Sequence, residues 1–318
     1  MKIVQKYGGS SLADEECLRR VAARIQRDAQ DGNVLVVVSA QGKTTDALTE
    51  KYRQVSSEFP SRESDALLVC GELASSALFA ATLRSIGVDA VSLHGGQIPI
   101  LAEGPFGNAV IQRINTKKIR KAWRRGQVVV VPGFQGVDRE GSFMTLGRGG
   151  SDTSAVALAA ALRADRCMIF TDVDGVYSVD PRRFPEAVRF PSVNTATMVS
   201  LAENGAKVLH PKAAMLALEH DVPLEILTSF ADREGTMVSL RSPERIGITV
   251  KPVSEEISAV TVIFDLPPNG KTLFLLTEAM SYFDGIPYYT GSALQVTLPT
   301  QHADDLIRAF HGILYPVE

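Results

Sequence analysis

Along the chain, short runs of β-branched and apolar residues at 34–38, 128–131 and 167–170 alternate with longer stretches of helical apolar spacing, as in Leu18, Val21, Ala22 and Ile25. That alternation predicts an α/β sheet covered by helices on both faces. Ligands of such sheets gather at the carboxyl ends of the strands, so chemistry is expected immediately after each apolar run. The basic run 117–125 carries Ile119, Ala122 and Trp123 at i, i+3, i+4, which predicts a helix with a solvated cationic face rather than a binding patch. Around Arg241-Ser242-Pro243-Glu244 the α/β pattern breaks. A strand at 259–264, a turn at Pro267-Pro268-Asn269-Gly270 and a further helix then predict a smaller second domain beginning near Arg245.

Composition narrows the function classes. A chain of 318 residues has room for about two domains, and 45% hydrophobic with 22% charged residues excludes a disordered or collagen-like protein. With 33 Lys plus Arg against 36 Asp plus Glu, the net charge of -3 provides no basic field for nucleic acid or an anionic membrane. Cys17, Cys70 and Cys167 are far apart, odd in number and without C-x-x-C spacing, so neither a disulfide framework nor a zinc site is expected. No apolar run is expected to approach a membrane span, and glycines follow Met1 too soon for a signal peptide, so a cytoplasmic location is the expectation.

The strand ends carry the candidate chemistry. Ile3-Val4-Gln5-Lys6-Tyr7-Gly8-Gly9-Ser10-Ser11 runs a strand into paired glycines and a helix expected near Ala13. Glycines admit backbone N–H groups close to a phosphate, a helix N-terminus adds partial positive charge and Lys6 a full one; a plain strand-to-helix turn would look the same. In Val38-Ser39-Ala40-Gln41-Gly42-Lys43-Thr44-Thr45 the end resembles a Walker A loop, but that pattern's first glycine would fall at Val37. The segment is either a ligand-contacting loop or an ordinary polar one.

Gly147-Arg148-Gly149-Gly150-Ser151-Asp152, ahead of an apolar helix at 156–162, is more specific. A dinucleotide fingerprint would need glycine at Asp152. An arginine and an aspartate four residues apart suit a zwitterion, the guanidinium gripping a carboxylate and the aspartate accepting from an ammonium; alternatively Asp152 is a cap and Arg148 a surface charge. In Thr171-Asp172-Val173-Asp174-Gly175-Val176-Tyr177-Ser178-Val179-Asp180-Pro181-Arg182 the glycine comes too early for a calcium loop. There Tyr177 could stack on a base and Arg182 pair with phosphate, or Tyr177 could be plain core. Lys207 and His210 share a loop, and a lone histidine is given no weight. Gly71-Glu72, ahead of a helix expected at 73–83, puts a carboxylate at a helix N-terminus, where capping is the plain account.

In this order, the segments at Lys6–Ser11, Gly71-Glu72, Gly147–Asp152, Asp174-Gly175-Val176-Tyr177 and Gly205-Ala206-Lys207-Val208-Leu209-His210-Pro211 resemble the aspartate kinase family of amino-acid kinases. The resemblance implies a three-layer α/β/α sandwich, a catalytic domain at 1–241 and a small α+β, ACT-like domain at 245–318. It implies transfer of the γ-phosphoryl group of ATP, with Mg²⁺ bridging the phosphates, to the side-chain carboxylate of L-aspartate at the entry to lysine, threonine and methionine biosynthesis. It implies Lys6, Arg148 and Asp152 as catalytic residues and Thr45, Glu72, Arg148 and Ser151 around the acceptor. On the nucleotide it implies Lys6, Tyr7, Gly8, Gly9, Ser39, Thr171, Asp172, Tyr177, Arg182 and Lys207, with no metal held mainly by protein. A homodimer through the C-terminal domain is likewise implied. Alternatives are a kinase for another small amino-acid carboxylate and a non-catalytic binding relative.

Two departures stand out. Gln41 replaces the family's usual Met or small residue near the acceptor, leaving specificity slightly open. The family ordinarily carries two ACT domains, whereas 245–318 has room for one, possessing Leu266-Pro267-Pro268-Asn269-Gly270 in place of the Asp-x-Pro-Gly effector loop. Weak or absent feedback by lysine or threonine is the expectation.

Overall fold

A computed structural model describes residues 1–264, 268–283 and 285–316. The chain opens with β1 (Lys2–Tyr7), α1 (Glu15–Asp31), β2 (Asn33–Val38), α2 (Thr44–Arg53) and α3 (Arg62–Ser85). It continues through β3 (Ala90–Ser92), β4 (Ile100–Glu103), β5 (Val110–Ile114), α4 (Lys117–Trp123), β6 (Val128–Pro132), β7 (Gln135–Val137) and β8 (Phe143–Thr145). Then come α5 (Gly150–Leu162), β9 (Arg166–Thr171), β10 (Val176–Tyr177), β11 (Arg189–Phe190), β12 (Ser192–Asn194), α6 (Thr195–Glu203), α7 (Pro211–Glu219), β13 (Leu224–Thr228) and β14 (Thr236–Ser239). The remainder forms β15 (Gly247–Pro252), β16 (Ile257–Ile263), α8 (Gly270–Met280), β17 (Ile286–Tyr289), β18 (Ala293–Pro299) and α9 (Ala303–Leu314).

The main sheet has the order β12-β14-β13-β9-β1-β2-β6-β3, and every neighbouring pair but β13–β14 is parallel. Strands such as Val34–Val38 of β2 are buried on both faces, which is why they read as continuous apolar runs instead of alternating ones. On one face Ile3, Tyr7 and Val36 pack against Leu18, Val21 and Ile25 of α1 and Phe79 and Leu83 of α3. On the other, Val4, Leu35 and Val37 meet Ile119 and Trp123 of α4 and Val156 and Leu158 of α5. Sheet and two helical layers make the three-layer α/β/α sandwich. The basic run forms α4 with Ile119, Ala122 and Trp123 buried, as its spacing predicts.

Four local expectations are corrected. The first glycines enter a short 3-10 turn, Gly9–Leu12, and α1 starts only at Glu15, where the Asp14 carboxylate accepts from Cys17 N. Gly71 and Glu72 lie in the middle of α3, not ahead of a helix, because Ser61 and Ser64 form a capping box ten residues earlier in the chain. The helix after the Gly-Arg-Gly-Gly run begins at Gly150, so Asp152 sits in its first turn and not before it. Finally, α3 contains an 18-residue window long and apolar enough to cross a membrane, against the expectation of none; here half of that window is buried inside the protein.

The C-terminal sheet has the order β15-β16-β18-β17, all antiparallel. β16-α8-β17-β18-α9 follows the strand-helix-strand-strand-helix order of a ferredoxin-like unit. β15 follows the last strand of the main sheet and pairs with Ser258–Ile263 of β16, closing an edge that would otherwise present unpaired backbone. Of the divergent effector loop, Leu266 and Pro267 lie outside the described residues; Asn269 caps α8, accepting from Thr272 N at 2.9 Å.

Candidate active site

β1 lies between β2 and β9, with Lys6 opposite Val37 and Ile169. Strand alternation sends Lys6 and Tyr7 to opposite faces. Tyr7 goes down into the core, its ring stacked 4.5 Å from Phe170 and its hydroxyl donating to Gln5 Oε1 at 2.7 Å, so only its main chain can meet a ligand. Lys6 goes up toward α5, where Nζ lies 2.7 Å from Asp152 Oδ1, with 12% and 14% of the two side chains exposed. α5 can start there because Gly147 (φ 76°) and Gly149 (φ 68°) turn the chain through the left-handed region.

At Gly149 a Cβ would lie 2.0 Å from His210 Cγ. His210, given no weight in the sequence, therefore closes this corner. Its Nδ1 accepts from Lys212 N to cap α7, and burial lowers its pKa, keeping the ring neutral at pH 7. The available signal was the proline after it, which marks a helix start. Lys212 in turn donates to Asn108 and to Leu146 O, pinning the glycine turn.

The loops after β1 and β2 interlock. Gly42 N donates to Gly9 O at 3.0 Å, and a Cβ on Gly9 would lie 2.5 Å from Ala40 O. Ser39 N donates to Tyr7 O, and Gln41, the departing residue, donates from Nε2 to Leu12 O at 2.7 Å, a structural tie across these loops. Beneath them, Glu72 Oε1 accepts from Ala40 N at 3.2 Å while Oε2 is buried without a hydrogen-bond partner. Burial pushes the Glu72 pKa up to about 7. Thr45 is half-buried in the first turn of α2, Ser151 is buried in that of α5, and Arg148 is exposed, with no hydrogen bond or ion pair among the described residues.

Asp65, two helical turns before Glu72, was missed. It accepts from Gly107 N, Thr145 N and Thr145 Oγ1, bracing α3 against β8; the seven-residue spacing was the signal that could have found it.

At the ends of β9 and β10, charges meet partners. Thr171 Oγ1 donates to Asp172 at 3.0 Å, Arg182 is held by Asp180 at 3.0 Å and Asp172 at 3.6 Å, and the Tyr177 hydroxyl donates to Asp174 at 2.7 Å. Lys6, Gly149, Asp152, Thr171 and Lys207 line a cavity of about 420 Å³, and Tyr177, Arg182 and Lys207 line a neighbouring one of about 280 Å³. Tyr7, Gly8, Gly9, Ser39, Thr45, Glu72, Arg148, Ser151 and Asp172 lie outside the walls of both.

This is an open α/β sheet whose charged and glycine-lined site sits at the carboxyl ends of its strands, the architecture of a small-molecule-binding α/β protein. The profile of the amino acid kinase family matches residues 1–228, and the chain belongs to that family. It is 46% identical to an aspartokinase of Bacillus sp. (strain MGA3) over 274 residues, 85% of this chain and 66% of that protein. It is 45% identical to an aspartokinase of Geobacillus stearothermophilus, covering 82% of this chain and 65% of that one. The chain thus spans slightly under two thirds of the length of these relatives. Among solved structures, aspartate kinase from Synechocystis is 36% identical with a TM-score of 0.67, covering 99% of this chain and 56% of that one. E. coli aspartokinase III in complex with aspartate and ADP shares the fold at a TM-score of 0.85 and 22% identity, covering 99% of this chain and 100% of that one.

Proposed function

We propose that the protein is an aspartate kinase, transferring the γ-phosphoryl group of ATP to the side-chain carboxylate of L-aspartate to give 4-phospho-L-aspartate. The observation that carries this reading is the Lys6–Asp152 ion pair at the end of the central strand, one loop away from the buried Glu72 with its free oxygen. The similarity to aspartokinases supports the choice of acceptor. The larger of the two adjoining cavities, about 420 Å³, is of the size that small-molecule sites take.

Phosphoryl transfer asks for in-line positioning and for cations or N–H donors around the developing charge. Lys6, oriented by Asp152, and the Gly8-Gly9 backbone supply them to the terminal phosphoryl group. The attacking carboxylate is ionised at neutral pH, with an ordinary pKa of about 3.9, so no general base is needed. Arg148 takes the α-carboxylate of aspartate through its planar fork, the free Glu72 oxygen takes the ammonium, and Thr45 and Ser151 orient the side chain. Ser39, Thr171, Asp172, Tyr177, Arg182, Lys207 and the Tyr7 main chain hold the nucleotide. A magnesium ion bound with ATP would take its ligands chiefly from phosphate oxygens, supplying charge neutralisation there.

Within this reading, residues 1–241 are the catalytic domain and 245–318 an ACT-like unit with weak or absent feedback by lysine or threonine, in a cytoplasmic enzyme. Ile286 and Tyr288, 74% and 65% exposed on edge strand β17, support a homodimer through that unit. ADP release with Mg²⁺, ATP and a panel of amino acids tests the function. L-Aspartate should be the preferred acceptor; no aspartate-dependent release, or equal release with acids lacking the α-carboxylate, overturns it.

A further inference from the structure

The loop that carries Tyr177 and Arg182 is built as much by the C-terminal unit as by the main sheet. Val179 and Phe184, 4% and 1% exposed, lie in the core of that unit together with Ile248, Leu306 and Phe310. Arg183 pairs with Asp304 of α9, and the Arg308 guanidinium lies 5.5 Å from the centre of the Phe184 ring. Between Tyr177 and Val179, Ser178 is fully buried and held from three directions. Its carbonyl accepts from Ile248 N of β15 at 2.7 Å, its hydroxyl accepts from Val188 N at 2.9 Å, and the same hydroxyl shares a hydrogen bond with His311 Nε2 of α9 at 3.0 Å. Ser178 directly follows Tyr177 at the end of β10, so fixing its carbonyl and hydroxyl fixes the strand end from which Tyr177 lines the cavity. β15 also presses on the loop of Lys207: a Cβ on Gly205 (φ 110°) would lie 2.7 Å from Val250 O.

We propose that Ser178 and His311 are positioning residues for the nucleotide: through their buried hydrogen bond the C-terminal unit sets the backbone of residues 176–182 and thereby the placement of Tyr177 and Arg182. This rests on the nucleotide reading given above. Burial holds the His311 pKa below its ordinary value, so the ring is neutral at pH 7 and one nitrogen donates while the other accepts. Glutamine at 311 can fill either role toward Ser178, whereas leucine can fill neither. A displacement of the C-terminal unit then changes nucleotide affinity before it changes affinity for the amino acid.

The test uses the full chain with His311→Leu, His311→Gln, Ser178→Ala and Ser178→Thr. The Kd for Mg-ADP is measured by calorimetry, beside steady-state KM values for ATP and aspartate. His311→Leu and Ser178→Ala should raise the Mg-ADP Kd and the ATP KM about tenfold, the worth of an ordinary buried hydrogen bond. The aspartate KM and kcat should stay within about twofold, and His311→Gln and Ser178→Thr should recover most of the lost affinity. An unchanged Mg-ADP Kd in both bond-breaking variants overturns the inference, as does a parallel loss for ATP and aspartate that tracks a lowered thermal midpoint. Should the unchanged protein bind Mg-ADP but phosphorylate no aspartate, the aspartate kinase reading fails while calorimetry still decides the role of Ser178 and His311. If it binds no Mg-ADP, both fall.

Discussion

The two halves of the site differ in how their charges stand before any ligand arrives. On the side we assign to the nucleotide, Lys6 has Asp152, Arg182 has Asp180 and Asp172, and Tyr177 has Asp174. On the side we assign to the acceptor, Glu72 keeps a buried oxygen without a partner, and Arg148 stands exposed with none among the described residues. The paired half is preorganised, so its cations reach a phosphate with little reorganisation. Buried Glu72 carries a desolvation cost that an ammonium can relieve, while exposed Arg148 stays solvated and free to take a carboxylate.

The largest expected effect breaks the paired half at its centre. Lys6→Ala removes the cation nearest the expected phosphoryl position and leaves Asp152 unpaired in the first turn of α5. A loss in kcat on the order of 10²–10³, the range for removing one preorganised transition-state donor, is expected in ADP-release assays. A loss under tenfold would make the ion pair a structural tie only.

The unpaired half should respond in KM. Arg148→Ala should raise the KM for aspartate about 10- to 100-fold, as expected for a lost charge-assisted interaction, with the ATP KM nearly unchanged. Because Arg148 is exposed, the variant should keep its thermal midpoint. A rise in the ATP KM instead would move Arg148 to the nucleotide half.

How much of this was legible in sequence differs between the halves for the same physical reason. Parallel strands buried on both faces advertise themselves as apolar runs, so β2, β6 and β9 could be read directly, and the glycines at 147 and 149 marked the turn that needs positive φ. From sequence, Glu72 is expected at a helix N-terminus, whereas it lies in the middle of α3. Gly71 makes room for a neighbouring loop: its Cβ would lie 2.9 Å from that of Ala40. Contacts between segments far apart in sequence, such as His210 on Gly149 and His311 on Ser178, leave no periodic trace. The strand at 259–264 and the helix after it were readable in the C-terminal unit, while the role of β15 as its edge strand depended on pairing that only the fold reveals.

Titration of Glu72 sharpens the contrast further. Burial raises its pKa from an ordinary 4.5 to about 7, so the folded state holds a proton that the unfolded chain has released. The folded protein is therefore relatively destabilised as pH climbs from about 4.5 to 7, and the deficit is constant above that. Glu72→Gln should raise the thermal midpoint at pH 8, with the gain shrinking as pH falls toward 5. An ammonium beside the free oxygen favours the ionised form, so aspartate binding at pH 6.5 should release a proton, detectable by calorimetry in buffers of different ionisation enthalpy and absent in Glu72→Gln. A pH-independent difference in midpoint would show that Glu72 does not titrate there.

The smallest expected effect separates a phosphate cradle from a plain turn. Gly8 and Gly9 are neighbours, yet a Cβ on Gly9 would lie 2.5 Å from a backbone oxygen, whereas one on Gly8 would meet only Lys6 Nζ at 3.6 Å. Gly8 has φ -73° and ψ 169°, a conformation any residue adopts. Gly8→Ala should therefore fold as well as the parent, or gain about 0.4–1 kcal/mol from a less flexible unfolded chain. If the Gly8 backbone approaches a phosphate, the added methyl occupies the ligand's space next to Lys6, and the ATP KM should rise a few-fold with the thermal midpoint held. A midpoint gain with an unchanged ATP KM would make this glycine a turn residue and leave Lys6 to meet the phosphate alone.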